Sequence, residues 1–360
     1  MTRAETPAAT SKGKVLLTGT RLSGGTGFIA SHVLDSLIDH GYDVVVTVRS
    51  EEKGRRIEKS IDNALGVQVS FVVVENISDD GAFDEAVQAD PPFDYVVHTA
   101  SPYQLQWEDP VRECLDPAIK GTTGILKSIK AFAPSVKRVV ITSSSAAILS
   151  PPNHRPVYDE TCWSDSTMEQ AKDPRQTYRV GKKFAEKAAW DFVANEQPGF
   201  DLATINNTYT FGPVPRSLPH LNAVNTSNQR IRDLVEGRMR AGIAPTAPVF
   251  TFVDVRDVAL AHVRAMTVPL AAPGSRFYVV GGYFSNPRIC GIIRAARPEL
   301  AATCLPPPEA DAQDDFPSDH WAFDNSRSRD VLGLQYTSLE KSVVDTVESM
   351  LRLGSAAGKA

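Results

Sequence analysis

Along the first half of the chain, short apolar runs alternate with longer stretches of helical spacing, a pattern that predicts βαβ units around a parallel sheet. Val15-Leu16-Leu17 is strand-like and leads into a Gly-rich turn. Phe28 to His40 then has helical periodicity and stops at Gly41, a plausible helix-ending glycine. Val44 to Val48 reads as a buried strand, followed by a charged helix over residues 51–64. Further strands are expected at Ser70–Val74, Tyr95–His98 and Arg138–Thr142, with helices near 79–89 and 111–132. After a helix that carries Tyr178, Asp201 to Asn206 forms a sixth strand. Beyond it the alternation breaks down, and Pro213, Pro215, Pro219, Pro245 and Pro248 punctuate irregular structure around one helix near 226–240. Val249–Val253 is expected to return to the main sheet, with a helix over Arg256–Met266. Phe277–Val280, a helix over 287–296 and a last helix near 338–352 complete the chain. The predicted class is α/β, a doubly wound parallel sheet with a smaller C-terminal lobe.

Composition changes this picture little. The 360 residues are 42% hydrophobic and 22% charged, ordinary for a globular protein. A formal charge of −5 offers no basic footprint for nucleic acid. No apolar run approaches the ~20 residues of a membrane span. Residues 1–12 lack the apolar stretch of a secretory signal and read as a disordered leader. Cys114, Cys162, Cys290 and Cys304 show no Cys-x-x-Cys spacing, and the histidines make no His-x-x-x-His pair, so no metal site is expected. A cytoplasmic location with reduced thiols follows.

Four features carry candidate chemistry. Tyr178 and Lys182 lie four apart, which on a helix stacks a phenol and an ammonium one turn apart. A phenol titrates near pH ~10 in isolation, and a neighbouring cation favours the phenolate. Such a pair suits a carbonyl/alcohol interconversion. Gly24-Gly25-Thr26-Gly27-Phe28-Ile29-Ala30 lies between the first strand and first helix, where glycines let the backbone approach a pyrophosphate. Arg49 ends the second strand, where an acid would hold the ribose of NAD and an arginine suits the 2′-phosphate of NADP; Lys53 adds a second positive charge. Thr142-Ser143-Ser144-Ser145 follows a strand, where a serine can hydrogen-bond a carbonyl and stabilise developing oxyanion charge. No Gly-x-Ser-x-Gly elbow surrounds it.

Together these residues resemble the extended short-chain dehydrogenase/reductase family, and within it the dihydroflavonol-reductase-like group with its fungal aldehyde, ketone and methylglyoxal-type reductases. The resemblance runs from about residue 13 to 352. It includes Gly27-Phe28-Ile29-Ala30-Ser31-His32, His98-Thr99-Ala100-Ser101-Pro102, Phe211-Gly212-Pro213 and, as its most specific stretch, Val253-Asp254-Val255-Arg256-Asp257-Val258-Ala259 with His262. It implies a Rossmann fold and NADP(H)-dependent reduction of a small carbonyl substrate by a monomer or homodimer. By residue, it implies that Tyr178 protonates the alkoxide, Ser144 holds the carbonyl oxygen, and Lys182 bonds the nicotinamide ribose and lowers the Tyr178 pKa. Cofactor contacts are expected from Gly19, Gly25, Gly27, Phe28, Ile29, Arg49, Lys53, Asn76, Ile77, Thr99, Ala100, Ser101, Thr142, Asn207 and Thr208. Substrate contacts are expected from Pro102, Tyr103, Ser144 and Tyr209. The implied domains are 13–212 with about 249–268 for the cofactor and 213–248 with about 269–352 for the substrate, flanked by the 1–12 leader and a 353–360 tail.

The chain departs from the family pattern at four places. Thr20-Arg21-Leu22-Ser23-Gly24 is inserted where the pyrophosphate is expected. Asn76 stands where an Asp is usual, Asn207 replaces a Pro, and Gly181 replaces a Ser. Two alternatives stay open from the residues: a hydroxysteroid-type dehydrogenase or nucleotide-sugar epimerase on the same scaffold, against which Arg49 argues, and a non-catalytic cofactor-sensing or impaired homologue because of the insertion.

Overall fold

The computed structural model describes residues 11–19, 25–61, 66–100, 108–215, 218, 220–269, 274–308, 313–317 and 320–357. The strands are β1 (Lys14–Thr18), β2 (Asp43–Val48), β3 (Val69–Val73), β4 (Tyr95–His98), β5 (Arg138–Thr142), β6 (Val157–Tyr158), β7 (Asp201–Asn207), β8 (Tyr209–Phe211), β9 (Thr251–Asp254), β10 (Gly274–Val279), β11 (Gly282–Tyr283) and β12 (Ala322–Phe323). The α-helices are α1 (Gly25–Asp39), α2 (Glu51–Ser60), α3 (Asp116–Phe132), α4 (Thr177–Glu196), α5 (Thr226–Val235), α6 (Val255–Thr267), α7 (Asn286–Ala296), α8 (Pro298–Thr303), α9 (Ser326–Asp330) and α10 (Leu339–Ala357).

Seven strands form one parallel sheet in the order β10-β7-β5-β4-β1-β2-β3. Strand order reverses between β1 and β4, the switch point at which doubly wound sheets bind ligands beyond their carboxyl ends. The period-two alternation of the strands feeds two cores. Val15 and Leu17 of β1 face the layer of α1 and α6, with Val33, Leu37, Val258 and Ala261. Leu16 between them faces the layer of α3 and α4, with Ile125, Ile129, Ala189 and Val193. Being buried on both faces, these strands are nearly continuous apolar runs.

A second, three-stranded sheet in the order β11-β9-β8 backs a separate core in which Phe211, Phe252 and Phe284 pack against Ile231, Ile289 and Val343. One residue, Thr208, separates β7 in the large sheet from β8 in the small one.

Two strands differ from the sequence reading. β9 does not return to the main sheet but pairs parallel with β8 and antiparallel with β11. The seventh main-sheet strand is β10, which runs parallel to β7 from Gly274↔Leu202 to Val279↔Asn207. The helix expected near 79–89 is instead a series of turns. Gly81 sits at φ +73°, outside the right-handed helical region, and Ala82 and Asp84 bond to carbonyls only three residues back. The helix over 111–132 opens as a π-turn over Val111–Leu115 before continuing as α3. The helix near 226–240 is α5, ending at Val235.

Candidate active site

The carboxyl ends of β1, β4, β5 and β7 bring Thr18, His98, Thr142 and Asn207 to one edge of the sheet. A cleft of about 410 Å³ opens there, lined by Phe28, Ile29, Thr99, Thr142, Ser144, Tyr178, Lys182, Asn207, Thr208 and Tyr209 among others. Ten residues expected from the sequence thus meet in one cavity.

α4 supplies two of them. Its buried stripe (Gly181, Lys182, Ala185, Glu186, Ala189, Val193) packs on the sheet and leaves Tyr178 half-buried at the mouth, one turn before Lys182. The Lys182 ammonium donates to the Thr142 carbonyl at 3.1 Å. Burial pushes its pKa down to about 8, with Cys114 and Glu186 opposing the shift. Ser144 follows β5 and caps a short 3-10 turn, its Oγ accepting from the Ala146 amide at 3.1 Å.

Behind this wall lies a buried polar network absent from the sequence reading. Glu186 accepts from Ser143 Oγ (2.5 Å), Asn206 Nδ2 (2.7 Å), Thr204 Oγ1 (3.0 Å) and Arg276 Nε (2.6 Å). Burial works against its charged form, but the Arg276 guanidinium and these donors hold its pKa below the ordinary carboxylate value. Asn206 Nδ2 also reaches the Ser144 carbonyl at 3.3 Å, so the network grips the serine backbone directly. Arg276 lies over the Trp163 ring at 3.8 Å, and Trp190 donates to Glu186 at 3.3 Å. The sequence signal was present in part, since Glu186 is one helical turn beyond Lys182; Arg276 comes from the far edge strand.

His262 is the other partner that the sequence reading left without a role. Its Nδ1 lies 2.7 Å from the Val258 carbonyl, which can only accept, so Nδ1 carries the proton and Nε2 accepts the Thr142 hydroxyl at 2.7 Å. Burial lowers its pKa to about 4. His98, whose Nδ1 is 2.8 Å from Thr18 Oγ1, is lowered to about 3 by burial and by the Lys182 charge.

Several expected cofactor residues lie along the same sheet edge but outside the cleft. Gly19, at φ +92°, passes so close to β4 that an added Cβ would meet the Ala100 amide nitrogen at 2.5 Å. α1 opens at Gly25, with Gly27 buried in its first turn. Arg49 is exposed at the end of β2, and Lys53 is half-buried in the first turn of α2. Asn76 is exposed, and its side chain is engaged by Ser78 and Asp79. Ile77 packs towards Gly121. Asn207, within the cleft, donates to Thr210 Oγ1 at 2.9 Å, while its buried Oδ1 lacks a hydrogen-bond partner among the described residues. Ser101, Pro102, Tyr103 and the insertion Thr20–Gly24 lie outside the described residues.

Residues 21–281 match the family model described as NAD dependent epimerase/dehydratase family. The chain belongs to this family. Within it, the chain is similar to the ketoreductase azaE of Aspergillus niger, with 55% identity over 94% of this chain and 97% of that protein. It is 33% identical to the NADPH-dependent methylglyoxal reductase GRE2 of Saccharomyces cerevisiae, over 92% of this chain and 97% of the relative. Among solved structures, Gre2 of Candida albicans in complex with NADPH superposes with a TM-score of 0.85 at 33% identity, covering 94% of this chain and 99% of that one. The extended short-chain dehydrogenase/reductase resemblance and the doubly wound fold are thereby borne out. Among the described residues no cluster of His, Cys, Asp or Glu could hold a metal ion, and no helix is long and apolar enough to cross a membrane.

Proposed function

We propose that this chain reduces an aldehyde or ketone to an alcohol with NADPH, as its reductase relatives are named for doing. The observation that carries the reading is the convergence of Ser144, Tyr178 and Lys182 on one cleft at the switch point of the sheet.

The residues present fit the cofactor. Among the described residues, Asn207 Oδ1 is a buried acceptor without a hydrogen-bond partner, suited to a donor such as a carboxamide N–H. Arg49 and Lys53 offer positive charge for a 2′-phosphate at the end of β2. Gly25, Gly27, Phe28, Ile29, Asn76, Ile77, Thr99, Ala100 and Thr208 would complete the cofactor wall. Bound NADPH supplies the hydride. Ser144 Oγ, buried and fixed by its cap, holds the carbonyl oxygen and stabilises the charge that develops on it. Tyr178 gives its phenolic proton to that oxygen. Lys182, held by the Thr142 carbonyl, favours the phenolate that remains. Tyr209 faces the substrate from the opposite wall. Of the three-stranded sheet, only β11 lies within the segments proposed for the substrate lobe (213–248 and about 269–352); β8 and β9 come from segments proposed for the cofactor domain, and β10 belongs with the cofactor sheet. A cytoplasmic monomer or homodimer fits the free thiols Cys114, Cys162, Cys290 and Cys304.

The test is Tyr178→Phe. NADPH binding, followed by fluorescence titration, should persist while turnover of carbonyl substrates falls by about 10²–10⁴-fold. Wild-type protein that binds NADPH but reduces no aldehyde or ketone would refute the reading.

A further inference from the structure

The cleft is unlike the rest of the molecule in charge. The chain carries −5 overall, yet the described residues that line the cleft include Arg175, Arg179 and Lys182 and not one Asp or Glu. Two of the three cations are already accounted for. Lys182 is held by the Thr142 carbonyl beneath the cofactor wall, and exposed Arg175 pairs with Asp173 at 3.2 Å.

Arg179 is different. It follows Tyr178 in the first turn of α4, half-buried, and among the described residues its guanidinium makes one hydrogen bond, from Nη1 to the Pro151 carbonyl at 3.2 Å. It forms no ion pair among the described residues. Burial lowers its pKa, and the field of Asp165, shared with Lys183 and His154, opposes that shift without bonding it. A guanidinium has five N–H donors in a planar fork that matches a carboxylate. Keeping one partly desolvated beside a reacting phenol costs free energy that a second, anionic group would offset.

Resting on the carbonyl-reduction reading above, we propose that Arg179 sets specificity in this cleft, and that the preferred substrate is a keto acid. Its carboxylate, a few bonds from the reduced carbonyl, pairs with the Arg179 guanidinium while Ser144 and Tyr178 hold the carbonyl oxygen. Tyr178 and Arg179 are adjacent in the first turn of α4 and both line the cleft, together with Ser144.

Matched pairs of a keto acid and its methyl ester, with two to four bonds between ketone and carboxyl carbon, test this in NADPH-dependent assays. Wild-type kcat/KM should favour the acid at least about tenfold, chiefly through KM, with the preference shrinking as salt is raised. Arg179→Gln should cut the acid-over-ester ratio by about 10- to 100-fold, the span of a charge-assisted hydrogen bond. Arg179→Lys should keep part of it, and Arg175→Gln should move the ratio less than about threefold. A wild-type preference for the ester, or an equal loss on acid and ester in Arg179→Gln, would overturn the proposal. If no carbonyl were reduced at all, the functional reading would fail separately. Calorimetric binding of the keto acid to NADPH-loaded wild type and Arg179→Gln would still decide the role of Arg179, with equal affinities refuting it.

Discussion

The Thr142 hydroxyl donates a hydrogen bond to His262 Nε2 at 2.7 Å, and the carbonyl of the same residue accepts one from the Lys182 ammonium at 3.1 Å. One residue at a strand end therefore ties the imidazole on α6 to the ammonium on α4 across the sheet. Protonating His262 would turn Nε2 into a donor and leave the Thr142 hydroxyl without its acceptor. The position of Lys182 is thus linked to keeping His262 neutral.

The first prediction follows from that link. His262 titrates near 4 and His98 near 3 in the folded chain, against 6.5 when unfolded. Below pH 6.5 the unfolded chain therefore binds more protons, and stability falls as pH drops. Asp257, pushed up to about 6 by burial from a usual 3.8, works in the opposite direction as pH falls through that window. Chemical denaturation between pH 7 and 4 should show a net loss, and the loss should be shallower in His262→Phe. An equal acid slope in wild type and variant would refute the assignment.

Lys182 governs the alkaline side. Its folded pKa of about 8 against 10.5 unfolded means that the buried ammonium is a cost at neutral pH, and that stability rises as pH goes from 8 to 10.5. On the proposed role of the Lys182 ammonium in catalysis, kcat/KM for NADPH in the free enzyme should decline above about pH 8 while the fold becomes firmer. Lys182→Met should lose activity and also lose the alkaline gain in stability.

Glu186 and Arg276 form a buried ion pair with side-chain exposures of 1% and 10%. Truncating one partner leaves the other charged and buried, at a cost of about 3–5 kcal/mol. Arg276→Ala should lower the denaturation midpoint accordingly and depress kcat through the Ser144 backbone that Asn206 holds. Unchanged stability would show that the pair is not structural.

Arg49→Asp is expected to leave the fold intact, because Arg49 is exposed. The NADPH-over-NADH ratio of kcat/KM should fall by about 10- to 100-fold, the span of a lost charge-assisted contact. A ratio that stays within threefold would place 2′-phosphate recognition elsewhere.

Much of this was legible in the sequence because local periodicity and site chemistry coincide. The runs at Val15–Leu17, Val44–Val48 and Arg138–Thr142 are strands buried on both faces, and Tyr178 and Lys182 share a helix face whatever surrounds them. What failed was choice of partner. β9 and β10 are both short, and nothing local says which joins β7; the pairing is set by contacts far apart in the sequence. Arg276 stands 90 residues from Glu186, so the ion pair behind Ser144 could not be read from spacing. Arg179 was visible as a residue, but its chemistry depends on the cleft lining, which among the described residues holds no Asp or Glu, a property of the folded chain.

The single residue between β7 and β8 has a practical consequence for recombination. Asn207 is hydrogen-bonded into the cofactor sheet opposite Val279, and Tyr209 into the small sheet opposite Phe252, with Thr208 clasped by Thr251 between them. At this point the large and small sheets share one uninterrupted stretch of backbone that runs through the cleft. Chimeras that borrow a relative's specificity should therefore be joined beyond Phe211, leaving that shared stretch uncut.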